Sequence, residues 1–446
     1  MQHRLKVAAG ITTLALAAPA LAGTAVAQQQ DYPPPSNPGS VQKKPKGPFK
    51  TLKVSKKGKF RTIQAAVNAA KPGDTVKIAD GTYKESVQVA GAKHRYIKLV
   101  GNVKQPHKVV LEGENKRQNG ITVNGADAVT MRGIKARRYK ANGFFAVNVT
   151  GYAMDRLIAE LPGTYGLYAF NAKGGSMTNS VSYLAADGSY YVGQTPEQTR
   201  PIQTIIRNVV GWGSVVGYTG TNSRYVTITK SKFFNNALGL APNSLDSETF
   251  PPDEQNVFRD NDIFWNNFDV YKKAPYKPNV NEDFIYPPGV GAILLSGRDN
   301  RFEGNRIYGN WLGGFIGVPN VFLKNPADQP LDRNIVSGNT FNKGGADMNG
   351  RDMVYNGSGT GNCFGGNVGV EVTLPAVPEV FPACPFATKN VENAEPIGAM
   401  LSWAVPQNGQ VHYREGWVQG PHAAQDGIEP LVDYVAGKNY GPTTLK

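Results

Sequence analysis

The sequence predicts an all-β solenoid, a rod built from stacked coils, and two observations lead to this fold class. Glycine is frequent, with 51 residues in 446, as expected of a chain with many tight turns. Short apolar segments also recur along the middle of the chain, anchored at Met131, Met154, Met177, Ile206, Ile228, Phe258, Phe302 and Val336. The steps between anchors are 23, 23, 29, 22, 30, 44 and 34 residues, so three steps are nearly equal and four contain insertions. Such a repeat indicates units that bury their apolar faces only by stacking on one another.

Residues 1–27 are predicted to be a signal peptide. Arg4 and Lys6 precede a stretch of small apolar residues, and Ala25-Val26-Ala27 offers a cleavage site. The stretch is short and alanine-rich for a membrane span, and no second stretch of about 18 apolar residues follows. The mean hydropathy of −0.36 also argues against an integral membrane protein. We therefore expect a secreted, extracellular protein without a transmembrane segment.

Residues 28–50 are predicted to be an extended, mobile linker rich in proline and lysine. The formal net charge is +14, or +12 without Arg4 and Lys6, and nine cations with no acidic residue lie between Val41 and Arg61. This clustered charge predicts an anionic partner, either an acidic polysaccharide or an anionic cell-wall polymer. We expect no nucleic-acid partner, and we expect a monomer.

The folded part is predicted to begin with a capping helix. Thr62 is a suitable N-cap, Ile63 and Val67 fall on one helical face, and Pro72-Gly73 ends the helix. Alternating apolar residues then predict strands on either side of the turn Asp80-Gly81. A helix at this position would cover the open edge of a stack of strands.

The segments TIQAAVNAAKPGDTV and DGTY-E resemble the cap and first coil of the pectin-lyase-like right-handed parallel β-helix superfamily, and the resemblance covers about residues 53–342. It implies a single-stranded right-handed parallel β-helix over residues 51–348, and it implies an extracellular polysaccharide context. The catalytic motifs of the superfamily's polygalacturonases, pectate lyases and mannuronan epimerases are absent, so no catalytic residue is transferred from these enzymes.

Repeated asparagines and methionines are predicted to be structural. Asn261, Asn305 and Asn339 each follow an anchor by three residues, and Asn236 and Asn310 each follow one by eight. Asparagine at a repeated turn tolerates left-handed backbone and can bond the next coil, so a turn ladder is expected rather than a sugar site. The three evenly spaced methionine anchors are expected to fill the interior.

Residues 349–446 are predicted to form a terminal loop and an irregular tail, which either wraps back along the coils or is a flexible wall-associating segment. Cys363 and Cys384 are predicted to form a disulfide, as in exported proteins. Trp403 and Trp417 favour packing of the tail against the rod.

Four insertions are predicted to follow the second strand of their coils, after GSYYVG, ALGLA, FDVY and GGFIG. Because insertions at one point of successive coils project from one side of a rod, we expect them to wall a single groove.

Residues on these insertions suit carbohydrate chemistry. Tyrosines can stack on sugars, cations can bind carboxylates, and acidic residues can bind Ca²⁺ or act as acid and base. The predicted catalytic residues are Lys272, Lys273, Tyr190, Arg200 and Arg298. The predicted substrate-binding residues are Tyr191, Tyr271, Tyr276 and Asp187, and the predicted metal ligands are Asp246 and Asp253. No cofactor is implied beyond this Ca²⁺ site.

The preferred hypothesis is binding of an acidic polysaccharide in the groove, with its cleavage by β-elimination left open. In that reaction a Lys or Tyr base removes the proton beside a carboxylate that an Arg neutralises. A glycosidase would instead use two carboxyl groups, for which Asp187 and Asp246 are candidates. The alternative from another class is a non-catalytic, cell-wall-associated or adhesive β-helix, so the sequence leaves enzymatic activity open.

Overall fold

A computed structural model describes residues 42–279, 283–342 and 347–418. The predicted signal peptide, most of the linker and the last 28 residues lie outside this range. Within the described residues, no helix is long and apolar enough to span a membrane.

The chain winds into a right-handed parallel β-helix, as predicted, and each coil contributes one strand to each of three parallel sheets. In the described chain, sheet A has twelve strands, sheet B ten and sheet C eleven. The strands of sheet A are Thr51–Val54, Thr75–Ile78, Lys98–Val100, Val129–Arg132, Tyr152–Asp155, Gly175–Thr178, Thr204–Arg207, Val226–Thr229, Val257–Arg259, Arg301–Glu303, Ile335–Ser337 and Cys363–Gly365. The strands of sheet B are Gly81–Tyr83, Val109–Glu112, Lys135–Arg137, Ile158–Glu160, Val181–Tyr183, Val210–Trp212, Lys232–Phe234, Asp262–Phe264, Arg306–Tyr308 and Thr340–Phe341. The strands of sheet C are Val87–Ala90, Ile121–Asn124, Phe144–Val147, Leu167–Phe170, Gly188–Gly193, Val216–Thr221, Leu238–Asn243, Val290–Leu295, Gly313–Val318, Met353–Tyr355 and Thr373–Leu374.

The predicted anchors form one interior column on sheet A. Met154 pairs in register with Met131 and Met177, and the register continues through the other five anchors to Val336. All eight side chains are buried in one core cluster. The methionines are therefore core residues, as predicted.

Helix α1 (Ile63–Ala69) caps the first coil. The Thr62 hydroxyl accepts a hydrogen bond from the Ala65 N–H at 3.1 Å, which confirms Thr62 as the N-cap. Ile63, Ala66 and Val67 are buried against the end of the coil stack.

Asparagine ladders run along the corners of the coils, as the Asn spacing predicted. At the corner between sheets A and B, the Asn305 carboxamide oxygen accepts from the backbone N–H and the side chain of Asn261, at 3.1 and 3.0 Å. Asn339 bonds Asn305 in the same way. Asn236, Asn266 and Asn310 repeat the pattern at the corner between sheets B and C.

Three parts of the predicted organisation need correction. Residues 42–50 do not hang free: the Gln42 N–H donates to Asp127 at 2.8 Å and the Lys50 N–H donates to Asp74 at 2.7 Å. The coils also continue beyond residue 348, because Cys363–Gly365 pairs with the preceding strand of sheet A. The segment FDVY is not a strand but enters helix α2 (Val270–Lys273).

The C-terminal segment returns along the rod. Cys363 and Cys384 form the predicted disulfide. Helix α3 (Glu395–Ala404) and the 3₁₀ turn Tyr413–Gly416 pack on the outer face of sheet C through Trp403 and Tyr413. Residues 395–418 are called the C-terminal arm below. The remaining 3₁₀ turns that the structure describes are Ala92–His94, Pro106–Lys108, Pro326–Asp328 and Pro378–Val380.

Candidate functional site

The insertions leave the coils at two corners instead of one. Residues 194–203, 244–256 and 319–334 connect sheet C to sheet A, whereas residues 265–289 connect sheet B to sheet C. The prediction of a single side is therefore wrong, because the segment FDVY is helical. Since these two corners border sheet C on either side, the insertions flank its outer face.

An aromatic column lies on that outer face. Successive side chains of a strand point to opposite faces, so Tyr190 points into the core and Tyr191 points outward. Phe145, Tyr168 and Tyr191 pair in register on consecutive coils. The rings of Phe145 and Tyr168 stack at 4.5 Å between centroids, and the ring of Tyr165 lies 4.6 Å from that of Tyr191. The three coils thus align their aromatic rings along one line, and each of these residues is only 2% exposed.

Asp187 stands at the start of the strand that carries Tyr191. Its backbone N–H donates to Thr164 O at 3.2 Å, and its carbonyl accepts from the Val216 N–H at 2.9 Å, so neighbouring coils hold it on both sides. The residue is 8% exposed, and burial raises the pKa of its carboxyl from 3.8 to about 7, against a hydrogen bond from Tyr165. Its Oδ1 has no hydrogen-bond partner among the described residues.

Glu248 is brought to the same place by the insertion of residues 244–256. The Tyr191 hydroxyl donates a short hydrogen bond to Glu248 Oε1, and Oε2 has no partner in the described chain. Burial raises the pKa of Glu248 to about 8, and the nearby Asp187 charge raises it further, whereas the Tyr191 hydrogen bond opposes the rise. Burial also raises the pKa of Tyr191 well above its usual range, so its hydroxyl remains a donor.

Asn222 determines the path of this insertion. Its side-chain amide donates to the carbonyls of Leu245, Glu248 and Thr249, at 2.8, 3.0 and 3.1 Å. Its oxygen accepts from the Leu245 N–H at 3.0 Å. Gln194 Oε1 accepts a further bond from the Thr249 N–H at 2.9 Å. Glu248 therefore sits on a fixed loop.

The insertion of residues 265–289 approaches from the other corner. The Asn279 N–H donates to Ala186 O at 2.6 Å, beside Asp187, and the Tyr276 hydroxyl donates to Gly213 O at 2.8 Å. Tyr286 lies near enough for the charges of Asp187 and Glu248 to raise its pKa, in addition to the effect of burial. Both walls thus meet at the two carboxyl groups.

The predicted catalytic residues do not converge there. Tyr190 is fully buried and donates to the carbonyls of Ser180 and Val210, at 2.8 and 3.0 Å, so its assignment as a base is wrong. Arg298 bonds Glu254 at 2.6 Å at the corner between sheets C and A. Lys272 and Lys273 are exposed on α2 at the opposite corner, and Arg200 is exposed on residues 194–203.

The predicted substrate-binding tyrosines separate into two groups. Tyr191 belongs to the aromatic column, with Asp187 beside it. Tyr271 and Tyr276 are half-buried and pack on the second core cluster, where the Tyr271 hydroxyl donates to Tyr286 O at 3.1 Å. Tyr271 therefore supports the wall of the site and does not point its hydroxyl into it.

The predicted metal ligands do not form a cation site. Asp253 is fully buried, and its carboxylate accepts from the Ser223 hydroxyl at 2.6 Å, the Ser223 N–H at 3.2 Å and Asn256 at 3.1 Å. Asp246 is exposed and accepts from the Lys324 N–H at 2.8 Å. Across residues 42–279, 283–342 and 347–418, no three His, Cys, Asp or Glu side chains are grouped to hold a metal ion.

Acid–base chemistry is what this arrangement can perform. Two carboxyl groups with raised pKa values retain at least one proton near neutral pH, and a retained proton can be donated to a bound molecule. Glu248, Tyr165 and Asn222 are not among the site residues that the sequence predicted. A signal for the column was present, because Phe145, Tyr168 and Tyr191 are 23 residues apart, as are the methionine anchors.

No protein-family model matches the chain, and no curated protein matches it. Solved structures resemble it at low sequence identity. The A-module of mannuronan C-5 epimerase AlgE4 from Azotobacter vinelandii is 14% identical, covers 74% of this chain and 94% of its own, and has a TM-score of 0.47. An alginate lyase from Paenibacillus sp. is 16% identical, covers 73% and 97%, and has a TM-score of 0.42. The N-terminal fragment of gene product 12 of bacteriophage Phi29 is 11% identical, covers 70% and 62%, and has a TM-score of 0.41.

Proposed function

We propose that this protein binds a polysaccharide along the outer face of sheet C and hydrolyses its glycosidic bonds. The observation that carries the proposal is the pair Asp187 and Glu248, two carboxyl groups with raised pKa values beside an aromatic column. Glycoside hydrolysis uses two carboxyl groups of this kind, one that holds a proton and one that releases it.

Glu248 is the proposed general acid. Its pKa of about 8 keeps it protonated at neutral pH, and the hydrogen bond from Tyr191 fixes its orientation. The proton moves from Glu248 to the glycosidic oxygen as the bond between that oxygen and the anomeric carbon breaks. Asp187, with the lower pKa of about 7, is the proposed base: it takes a proton from water while the water oxygen bonds to the anomeric carbon.

The aromatic column borders the carboxyl pair and is itself buried. The Tyr191 hydroxyl is already used as the donor to Glu248. Phe145, Tyr168 and Tyr191 lie on adjacent coils, and neighbouring strands are about 4.8 Å apart. Because each of these residues is only 2% exposed, the column stiffens the part of sheet C that carries the carboxyl pair and does not offer a ring for a sugar to stack on.

The β-elimination hypothesis has less support from these contacts. Tyr190 is buried, the raised pKa of Tyr191 makes it a poor base, and Arg298 is bonded to Glu254. Arg200 and Lys272 stay predictions as substrate contacts, because the described residues show no contact between them and the carboxyl pair. The acidic character of the glycan is likewise a prediction from the net charge of the chain.

Export is part of the proposal. The signal-peptide pattern of residues 1–27 and the Cys363–Cys384 disulfide are both typical of extracellular proteins.

The test is to incubate the mature chain with a panel of neutral and acidic glycans. New reducing ends and near-ultraviolet absorbance should be followed separately. Hydrolysis yields reducing ends without unsaturated products, and Asp187→Asn and Glu248→Gln should each abolish it. Asp246→Asn, which changes an exposed carboxylate on the same insertion, should keep the activity. Unsaturated products, or full activity in both carboxyl variants, would refute the assignment.

A further inference from the structure

The positive charge of this protein is concentrated at one end of the rod. Residues 42–104 contain sixteen Lys and Arg and three acidic residues, so this segment carries thirteen of the fourteen formal net charges. The rest of the chain is therefore almost neutral. If the charge served only solubility, it would be expected to spread over the whole surface and not to be concentrated in the first three coils.

Sheet A places part of this charge on its outer face. Lys53 pairs in register with Lys77, and Lys98 lies on the next strand, paired with Thr75. All three side chains are exposed, whereas the residues next to each of them in its own strand point into the core. Since adjacent strands are about 4.8 Å apart, Lys53 and Lys77 occupy directly opposite positions, and the Lys77 ammonium donates to Gly101 O at 3.0 Å.

Like charges at directly opposite strand positions are destabilising. Higher on the same face the structure relieves such charge, because Arg132 bonds Asp155 on the next strand at 2.7 Å. In the first three coils, no ion pair joins Lys53, Lys77 or Lys98 to a described carboxylate. These lysines therefore have no carboxylate partner among the described residues, as expected of a surface that meets an anion.

The nearby acidic groups are already occupied. The Asp74 carboxylate is buried and accepts from the backbone N–H groups of Lys50 and Lys71, at 2.7 and 2.9 Å. Glu85 accepts from the N–H groups of Ile63 and Gln64, at 2.9 and 3.0 Å, where it caps helix α1. These two carboxylates stabilise backbone, and the third, the exposed Asp80, accepts from the Asn102 side chain at 3.0 Å and forms no ion pair with a described lysine.

The N-terminal segment adds to the same surface. Arg95 donates to Lys43 O at 2.8 Å and the Lys50 N–H bonds Asp74, so residues 43–50 run beside the first coils. The exposed cations of this segment and the following loop are Lys43, Lys44, Lys46, Lys50, Lys53, Lys56, Lys57, Lys59 and Arg61.

We propose that this basic end, residues 43–61 with Lys77 and Lys98, is a second binding site that holds a linear anionic glycan. The near absence of Arg favours a ligand with many spaced charges over one carboxylate or phosphate held bidentately. The site lies on sheet A, whereas the carboxyl pair lies at sheet C, so both can be occupied together. It would anchor the protein on a charged polymer whether or not the carboxyl pair is catalytic.

The test measures retention of the full mature chain on immobilised polygalacturonate, with immobilised dextran as the neutral glycan. Wild type should bind polygalacturonate at low ionic strength and be released as salt is added. The triple variant Lys53→Gln, Lys77→Gln and Lys98→Gln should bind about tenfold to a hundredfold more weakly, since each cation contributes about tenfold or less.

A matched variant loses the same charge elsewhere, at the exposed residues Lys140, Lys230 and Lys324, and should bind like wild type. A second variant replaces Lys43, Lys44 and Lys46 with Gln. Because these residues lie outside all strands, it should weaken binding without any effect on folding. Equal losses in the sheet A variant and the matched variant would overturn the site. Binding to dextran as tight as to polygalacturonate, or tighter binding to single-stranded oligothymidylate, would overturn the anionic glycan.

Discussion

Asp187 should lower the stability of the folded protein as pH rises, and Asp187→Asn should remove this cost. Burial raises the pKa of its carboxyl from 3.8 to about 7. Between these two values the unfolded chain has released the proton while the folded protein still holds it. The unfolded state then binds fewer protons, so the free energy of unfolding falls with increasing pH.

The magnitude follows from the size of the pKa change. One pH unit corresponds to about 1.4 kcal/mol, so roughly three units give a loss of about 4 kcal/mol between pH 4 and pH 8. The carboxamide introduced by Asp187→Asn has no proton to release and nearly the same shape as the carboxyl group. Its side-chain oxygen can still accept from Tyr165, which bonds the carboxyl in the wild type. The stability advantage of the variant should therefore grow with pH by about this amount.

Urea unfolding of wild type and Asp187→Asn from pH 4.5 to pH 8.5 gives the difference in their free energies of unfolding directly. Because a solenoid can unfold in stages, hydrogen exchange of the strand Gly188–Gly193 provides a local measurement. Asp246→Asn, which removes an exposed carboxylate from a neighbouring insertion, is the matched control. A difference for Asp187→Asn that does not change with pH would refute the burial argument.

Four further changes have defined outcomes. If the hydrolysis proposal holds, the rate should peak between pH 7 and pH 8, set by Asp187 and Glu248, and Glu248→Gln should remove the activity. Tyr191→Phe should move the alkaline limb of the pH–rate profile to higher pH. In the wild type the hydrogen bond from Tyr191 lowers the pKa of Glu248, and the variant lacks this bond. Asn305→Ala should reduce the free energy of unfolding by about 2–5 kcal/mol, since it leaves a buried backbone N–H without its acceptor and a carbonyl without its donor. Met154→Ala should cost about 2–5 kcal/mol by opening a cavity in the interior column, and chemical denaturation measures both losses.

The fold could be predicted from the sequence because each coil repeats the same physical requirements. An interior position needs an apolar residue in every coil, and the register of Met131, Met154 and Met177 follows from their equal spacing. Errors arose where a local pattern was ambiguous. FDVY has alternating apolar residues, yet Asp269 bonds Tyr413 and Arg414 of the C-terminal arm, and the segment turns into helix α2. Such a contact across 144 residues leaves no trace in local periodicity.

The candidate site was only partly predictable, for a related reason. Asp187 and Tyr191 occupy repeat positions, and both were named as site residues. Glu248 reaches them from an insertion whose path depends on Asn222 and Gln194, which lie in earlier coils. Tyr190 was wrongly predicted to be a base because side-chain orientation within a strand alternates, so Tyr190 and Tyr191 face opposite ways.

The asparagine ladders explain how one rod tolerates insertions of such different lengths. The hydrogen bonds from Asn261 to Asn305 and from Asn305 to Asn339 span 44 and 34 residues, which are the coil steps of the anchors Phe258, Phe302 and Val336. A third ladder, which the spacing analysis missed, includes Asn256, Asn300 and Asn334 at the corner between sheets C and A. Each buried carboxamide bonds backbone groups that a corner would otherwise leave unpaired, so the coils stay in register whatever length of chain leaves them. The loop that carries Glu248 can therefore change without loss of the fold, whereas the ladder asparagines cannot.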